Sequence, residues 1–166
     1  MSATTDFDII SYLENVTSEN KICINNNFKF CTCSGVQALE GVLENYRNSP
    51  AFVCVDDSDD SNVFTHGSGW FRRRSVTIFF LARCSFKDAE DRIYWNDLCR
   101  ELYRQFLSRL INDRHKFETS LVYFRLDNIY SRNITIQEPA DMTGLYMMFN
   151  VDEPYNLCYN QSQWQQ

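Results

Sequence analysis

Seven cysteines, two histidines, a cluster of aspartates and a run of arginines are the residues of this chain whose types and spacing invite chemistry. Cys31 and Cys33 are too close together for the two-residue-spaced redox motif, although on a strand both would point to one face, where they could hold a metal or sense peroxide. Zinc would need a second ligand pair, and His66 and His115 do not supply it. The odd set Cys23, Cys31, Cys33, Cys54, Cys84, Cys99 and Cys158, scattered through apolar patterns, reads as reduced thiols serving as small hydrophobes. Asp56, Asp57, Asp59 and Asp60 have the composition of a calcium loop but lack its glycine and terminal glutamate. They are also where a divergent metal-dependent hydrolase or nuclease would place its ion. His66-Gly67-Ser68-Gly69 lacks the length and lysine of a phosphate loop and precedes a strand, so a flexible hinge is the simpler account. His66 has the loop context of a site residue, whereas His115, just after a long helix, complements that helix's dipole. No G-x-S-x-G elbow, H-E-x-x-H helix, Walker loop or dinucleotide fingerprint occurs, so no catalytic residue, cofactor or metal centre is assigned.

Charge is the second chemical feature. The chain carries 16 basic and 22 acidic residues, a net charge of -6 that argues against general attraction to nucleic-acid phosphate. The charges segregate into the aspartate cluster and the triplet Arg72, Arg73 and Arg74, as if one subunit's acidic patch met a neighbour's basic patch. Two solvated loops would explain the segregation equally well. On a strand, Arg72 and Arg74 continue the core face and Arg73 points away, so at least one guanidinium projects beyond the packed region.

The elements that must position these groups follow from periodicity. Asp6 to Val16 reads as a short helix with Phe7, Ile10 and Leu13 on one stripe and Thr5 or Asp6 as its cap. Asn25-Asn26-Asn27 reads as a hairpin turn between a strand at Ile22-Cys23-Ile24 and another over Phe28 to Cys33. Ser34 can cap a second helix with Val36, Leu39, Leu43 and Tyr46 inward, ended by Ser49-Pro50, despite Gly41 in its interior. Ala51 to Val55 is a brief apolar strand, and residues 56 to 69 read as a long acidic loop. From Trp70 to Arg83 the pattern has period two, with Val76, Ile78, Phe80 and Ala82 on one face. Over 88 to 113 Trp95, Leu98, Cys99, Leu102, Phe106 and Leu110 recur at helical spacing. Strands are expected again at 120 to 127 (Val122, Phe124, Leu126), 129 to 138, bounded by Pro139, and 144 to 152 (Leu145, Met147, Phe149, Val151).

These elements predict an α+β fold: a single domain over 1 to 152 with a mixed, mostly antiparallel sheet packed against two or three helices. Residues 153 to 166 form an aromatic tail, in which Tyr155, Leu157, Tyr159 and Trp164 are too apolar for free solvation and dock on their own domain or on a neighbour. The start of the chain has neither a basic region nor a long apolar run, and no stretch of about 18 apolar residues occurs, so a soluble cytosolic protein without a membrane partner is expected. The Asn133-Ile134-Thr135 sequon is then fortuitous.

The N-terminal helix, the loop leading into WFRRRSVTIFFLARC, the long helix DRIYWNDLCRELYRQFLSRLINDR and the closing strands ending in TGLYMMFNVDEPYN resemble, over residues 64 to 156, the tail-completion or tail-terminator proteins of tailed bacteriophages. The cysteine-rich N-terminal segment and the aromatic tail lie outside the resemblance. It implies a structural virion protein of the phage neck, assembled in the host cytoplasm as a homo-oligomeric ring, taken as a hexamer. Its implied partners are head-connector or portal-side adaptor proteins on one face and tail-tube or tail-hub proteins on the other, with genomic DNA passing through unread. The implied contacts are Asp56, Asp57, Asp59, Asp60 and His66 in the loop, Trp70, Arg72, Arg73 and Arg74 at the strand entrance, and Tyr155, Leu157, Tyr159 and Trp164 in the tail. Another connector ring protein, a non-viral monomeric interaction module and the metal-dependent hydrolase are the competing readings.

Overall fold

The computed structural model describes residues 6–35, 39, 41, 42, 45–58, 60–136 and 141–165. Helix α1 (Ile9–Glu19) starts at Asp8, whose side chain accepts the Ser11 N–H, two residues later than the Asp6 cap expected from sequence; Thr5 lies outside the described residues. Helix α2 (Lys21–Asn25) follows at once, because the Asn20 side chain accepts from both the Ile22 and Cys23 N–H groups. This corrects the expected Ile22-Cys23-Ile24 strand: a cap satisfying two orphan donors outweighs the strand preference of so short an apolar run. Asn26 and Asn27 still make the reversal, Asn27 with a φ of 54°, but they join a helix to strand β1 (Phe28–Cys33). Of the predicted second helix, Leu39, Gly41, Val42 and Asn45 have helical backbone, while Val36 and Leu43 lie outside the described residues.

Strands β2 (Ala51–Asp56), β3 (Ser61–His66) and β4 (Gly69–Arg83) replace the expected long loop with an interrupted hairpin. β2 pairs antiparallel with residues 78–82 of β4, and β3 pairs antiparallel with residues 69–74. β2 and β3 are thus successive lengths of one arm, with the pairing to β4 interrupted between Val55 and Ser61. The sequence hid β3 because Asn62, Val63, Thr65 and His66 are exposed, so no buried stripe marks the strand. The tight turn after His66 uses Gly67 at a φ of 60°, and the HGSG segment is therefore a hairpin turn rather than a flexible hinge.

Helix α3 (Ala89–Glu118) is capped by Asp88 and runs beyond the predicted end at 113, so His115 sits within its last turn, paired with Glu118 at 3.0 Å. Its buried residues Cys99, Leu102, Phe106 and Leu110 match the predicted stripe. Strand β5 (Tyr123–Ile136) joins the two strands predicted at 120 to 127 and 129 to 138 into one, with an irregularity between Arg125 and Tyr130 that the sequence pattern reads as a break; Glu138 and Pro139 lie outside the described residues. Strand β6 (Met142–Pro154) closes the sheet and runs two residues into the segment read as tail.

The sheet order is β1-β2-β4-β6-β5 with β3 beside β4; β1–β2 is the parallel pairing and the other four are antiparallel. The α+β class is as expected. One face carries the main core: Val76, Ile78, Phe80 and Ala82 of β4 with Leu145, Met147, Phe149 and Val151 of β6, packed against α1 and α3. Phe80 meets Phe106 edge-on at 5.0 Å. The second face holds a smaller cluster of Cys31, Cys33, Leu39, Phe52, Cys54, Phe79, Leu81 and Met142. There Leu39 and Val42 cover the β1–β2 end.

Gly144 marks a close approach of two strand backbones. It faces Leu81 across the β4–β6 ladder with a φ of 154°, and a Cβ there would lie 1.9 Å from the Phe80 carbonyl oxygen. Gly144→Ala is expected to cost on the order of 2 kcal/mol or more, because both strand backbones must part. A lowered urea midpoint would agree, and an unchanged midpoint would show that this approach is not required.

Candidate functional site

The arginine triplet is placed by register. β4–β6 pairing sets Arg72 opposite Glu153 and Arg73 opposite Asp152, and the strand alternation sends Arg72 and Arg74 to the helix-packed face and Arg73 to the other. Glu153 is only 1% exposed. Its Oε1 accepts from Arg72 Nε at 3.1 Å and Nη2 at 2.7 Å; its Oε2 accepts from the Phe7 backbone N–H at 2.8 Å and from Arg74 Nη2 at 3.2 Å. Arg74 Nη2 also donates to the Phe7 carbonyl at 2.6 Å, while its Nε, 2.8 Å from Glu153 Oε1, is an ion pair without hydrogen-bond alignment. Arg72 reaches Asp6 at 2.8 Å and lies over the Tyr155 ring at 5.1 Å. One carboxylate therefore ties the start of α1, the start of β4 and the end of β6 together.

On the opposite face Asp152 receives Arg73 Nε at 2.6 Å, Arg73 Nη2 at 2.9 Å and Arg125 Nε at 2.7 Å. Burial pushes its carboxyl up, and the two guanidiniums outweigh that and hold it below the usual carboxylate range. Arg73 also covers the Phe64 ring at 5.1 Å. A second buried acid, Asp113, lies under α1. Burial raises it, while hydrogen bonds from Lys116, Arg109, Tyr12 and Asn112 bring it down to about 2. Asp152, Glu153 and Asp113 were not singled out in the sequence. The signal was an Asp-Glu pair ending one alternating strand where an arginine run begins another.

The aspartate cluster organises the break between β2 and β3. Asp56 Oδ1 accepts from Gly35 N at 3.0 Å and Ser58 N at 2.9 Å; Asp57 Oδ1 accepts from Ser34 Oγ at 2.7 Å; and the Asp60 carbonyl accepts from Ser75 N at 3.0 Å. Asp59 lies outside the described residues. His66 stacks edge-on to Phe71 at 5.6 Å, and exposed Trp70 accepts the Tyr155 N–H through its carbonyl at 2.9 Å. Cys31, Cys33 and Cys54 meet in the second-face cluster, with Cys31 level with Cys54 across the parallel pair. The Cys54 thiol is pushed up by hydrogen bonding to Cys31 and Cys33 and by burial. Burial raises Cys23 and Cys99 to about 12, which keeps both thiols protonated.

Beyond the smaller cluster, no helix among the described residues covers the second face. Thr77 and Phe79 of β4 and Tyr146 and Met148 of β6 line a groove of about 320 Å³ bordered by Asp60 and Ile134, with Tyr130 of β5 in register with Met148. Tyr146 meets Phe79 at 5.6 Å and Tyr130 at 6.0 Å. Tyr130 is 52% exposed and Met148 36%. In the tail, Leu157, Tyr159 and Trp164 are exposed, and Tyr159 stacks on Trp164 at 6.3 Å. Among the described residues no group of three or more His, Cys, Asp or Glu side chains is placed to hold a metal ion, and no helix is long and apolar enough to cross a membrane. No protein-family model and no curated protein matches the chain.

The Glu153 knot makes a direct prediction. Glu153→Gln keeps the shape but leaves two guanidiniums beside a neutral amide, and a one-sided break of a buried pair costs about 3 kcal/mol or more. Urea unfolding followed by circular dichroism should show that loss. A change below about 1 kcal/mol, the range of exposed pairs, would contradict the reading.

Proposed function

We propose that this chain is a structural subunit that assembles with copies of itself into a ring, of the kind that completes or terminates a phage tail and joins it to the head connector around the DNA channel. The observation that carries the reading is the asymmetry of the sheet. One face is sealed by helices, whereas the other leaves Tyr130 and Met148 in water and ends on the 14-residue strand β5, whose outer edge has no partner strand among the described residues. Long open edges invite strand pairing or coverage by another chain. Exposed Ile93, Tyr94 and Ile111 add apolar surface along α3.

The resemblance over residues 64 to 156 supplies the biological setting, and the long helix between β4 and the closing strands follows its order. A net charge of -6 suits a channel through which DNA must slide without sticking. Function on this reading is assembly: complementary surfaces join connector-side and tail-side partners, and no bond is made or broken. Light scattering at low and high protein concentration tests it. The expected result is a discrete multimer of about six subunits, as a closed cyclic assembly requires. A mass of 19.6 kDa at every concentration would overturn autonomous ring formation.

A further inference from the structure

Two apolar surfaces have no partner among the described residues, and their positions decide how they meet. The first is the tail: Leu157 is 47%, Tyr159 74% and Trp164 66% exposed, leaving on the order of 400 Å² of side-chain surface in water. The hydrogen bonds of Cys158, Ser162, Gln163 and Trp164 close within the segment, on Asn156, Asn160 and Gln161. The second is the groove over Thr77, Phe79, Tyr146 and Met148, edged by Tyr130 and Ile134.

Within one chain the two do not meet: no described tail residue lines the groove, and Leu157, Tyr159 and Trp164 remain exposed. Tyr155 is fixed at the Trp70 end of the sheet by its N–H bond to the Trp70 carbonyl and by Arg72 over its ring. Met148 lies seven residues back along β6, roughly 23 Å away, and Tyr146 roughly 30 Å. Leu157 extends at most roughly 7 Å beyond the anchor and Tyr159 roughly 14 Å. Trp164 is stacked on Tyr159, so the two rings form one apolar unit, and in this structure that unit stands in water rather than on its own sheet.

We infer that the tail of one copy docks in the second-face groove of the next, so that each subunit is a donor at one end of its sheet and an acceptor on its second face. This rests on the ring reading and names the contact that builds the ring. The chemistry matches. Residues 156–166 contain no charged side chain and six asparagine and glutamine carboxamides among Asn156, Asn160, Gln161, Gln163, Gln165 and Gln166. No side chain of this segment carries a charge to desolvate, and carboxamide N–H groups can donate to the Asp56 and Asp60 carboxylates at the acidic end of the groove. Tyr159 and Trp164 meet Tyr146, Tyr130 and the Met148 thioether in aromatic and sulfur contacts. The contact is heterologous, donor to acceptor, which is the kind that closes into a ring.

Three proteins test this by light scattering, with thermal unfolding as the folding control: the full chain, a chain ending at Tyr155, and Met148→Arg. The full chain should be multimeric. Each altered chain should fall to single-subunit mass with its melting transition kept, and an equimolar mixture of the two should form a heavier species that neither forms alone. In that mixture the Met148→Arg chain supplies the tail and the truncated chain supplies the groove. A truncated chain that keeps the full mass would overturn tail docking while the ring reading stands, and a multimeric Met148→Arg would overturn this groove as the acceptor. A full chain that is monomeric would overturn both. Should the truncation fail to fold, the full-length pair Tyr159→Ser with Trp164→Ser takes its place and must lose the multimer.

Discussion

Glu153 is the group on which the organisation of this protein turns. A carboxylate almost fully removed from water is tolerable only where charge and hydrogen bonds replace its hydration, and here Arg72, Arg74 and the Phe7 N–H do so together. Those partners come from two widely separated parts of the sequence. Their convergence fixes the register of the long β4–β6 ladder at one end, and Gly144 fixes it at the other by letting two backbones approach. Between these points the alternation of the two strands decides which side chains face α1 and α3 and which face outward. A slip of one residue in β4 would bring Arg73 to the helices, and a slip in β6 would strand Glu153 on the other face.

The same register produces an unequal sheet. The helix-packed side carries large apolar residues through its middle rows, from Val76–Phe149 to Phe80–Leu145, whereas the other side changes along its length from a buried cluster of thiols and aromatic rings to a rim of Arg73, Arg125 and Asp152. Such a gradient leaves the middle rows neither polar enough to favour water nor covered enough to count as core. A self-assembling subunit can use that intermediate surface, which a monomer would have to solvate. The interrupted β2–β3 arm belongs to the same design: Asp56 Oδ1 holds Gly35 and Ser58, Asp57 Oδ1 holds Ser34 and the Asp60 carbonyl holds Ser75, which keeps Ser58 and Asp60 at the border of the groove.

Much of this was legible from the residues alone. Elements with a buried stripe were read correctly in kind, as at Val76 to Ala82, Cys99 to Leu110 and Leu145 to Val151, because periodic burial writes itself into composition. The failures share a physical cause. β3 has no buried face, the Ile22 to Ile24 helix depends on one asparagine cap, and β5 passes through an irregularity where the pattern breaks. The interface candidates were visible as odd residues, but their geometry was not. The arginine triplet is engaged inside the chain because Asp152 and Glu153 lie opposite it, a fact of register that no local window contains. Tyr130 and Met148 went unnoticed because an outward apolar residue is ordinary until neighbouring strands align several of them.

The central claim is that these uncovered surfaces exist to meet copies of the same chain around a central passage. Two-dimensional class averages of the purified full-length protein from electron micrographs address it most directly. The account predicts closed, rotationally symmetric rings with an open centre. Filled particles without a channel, whether single chains or two-fold pairs, would contradict it.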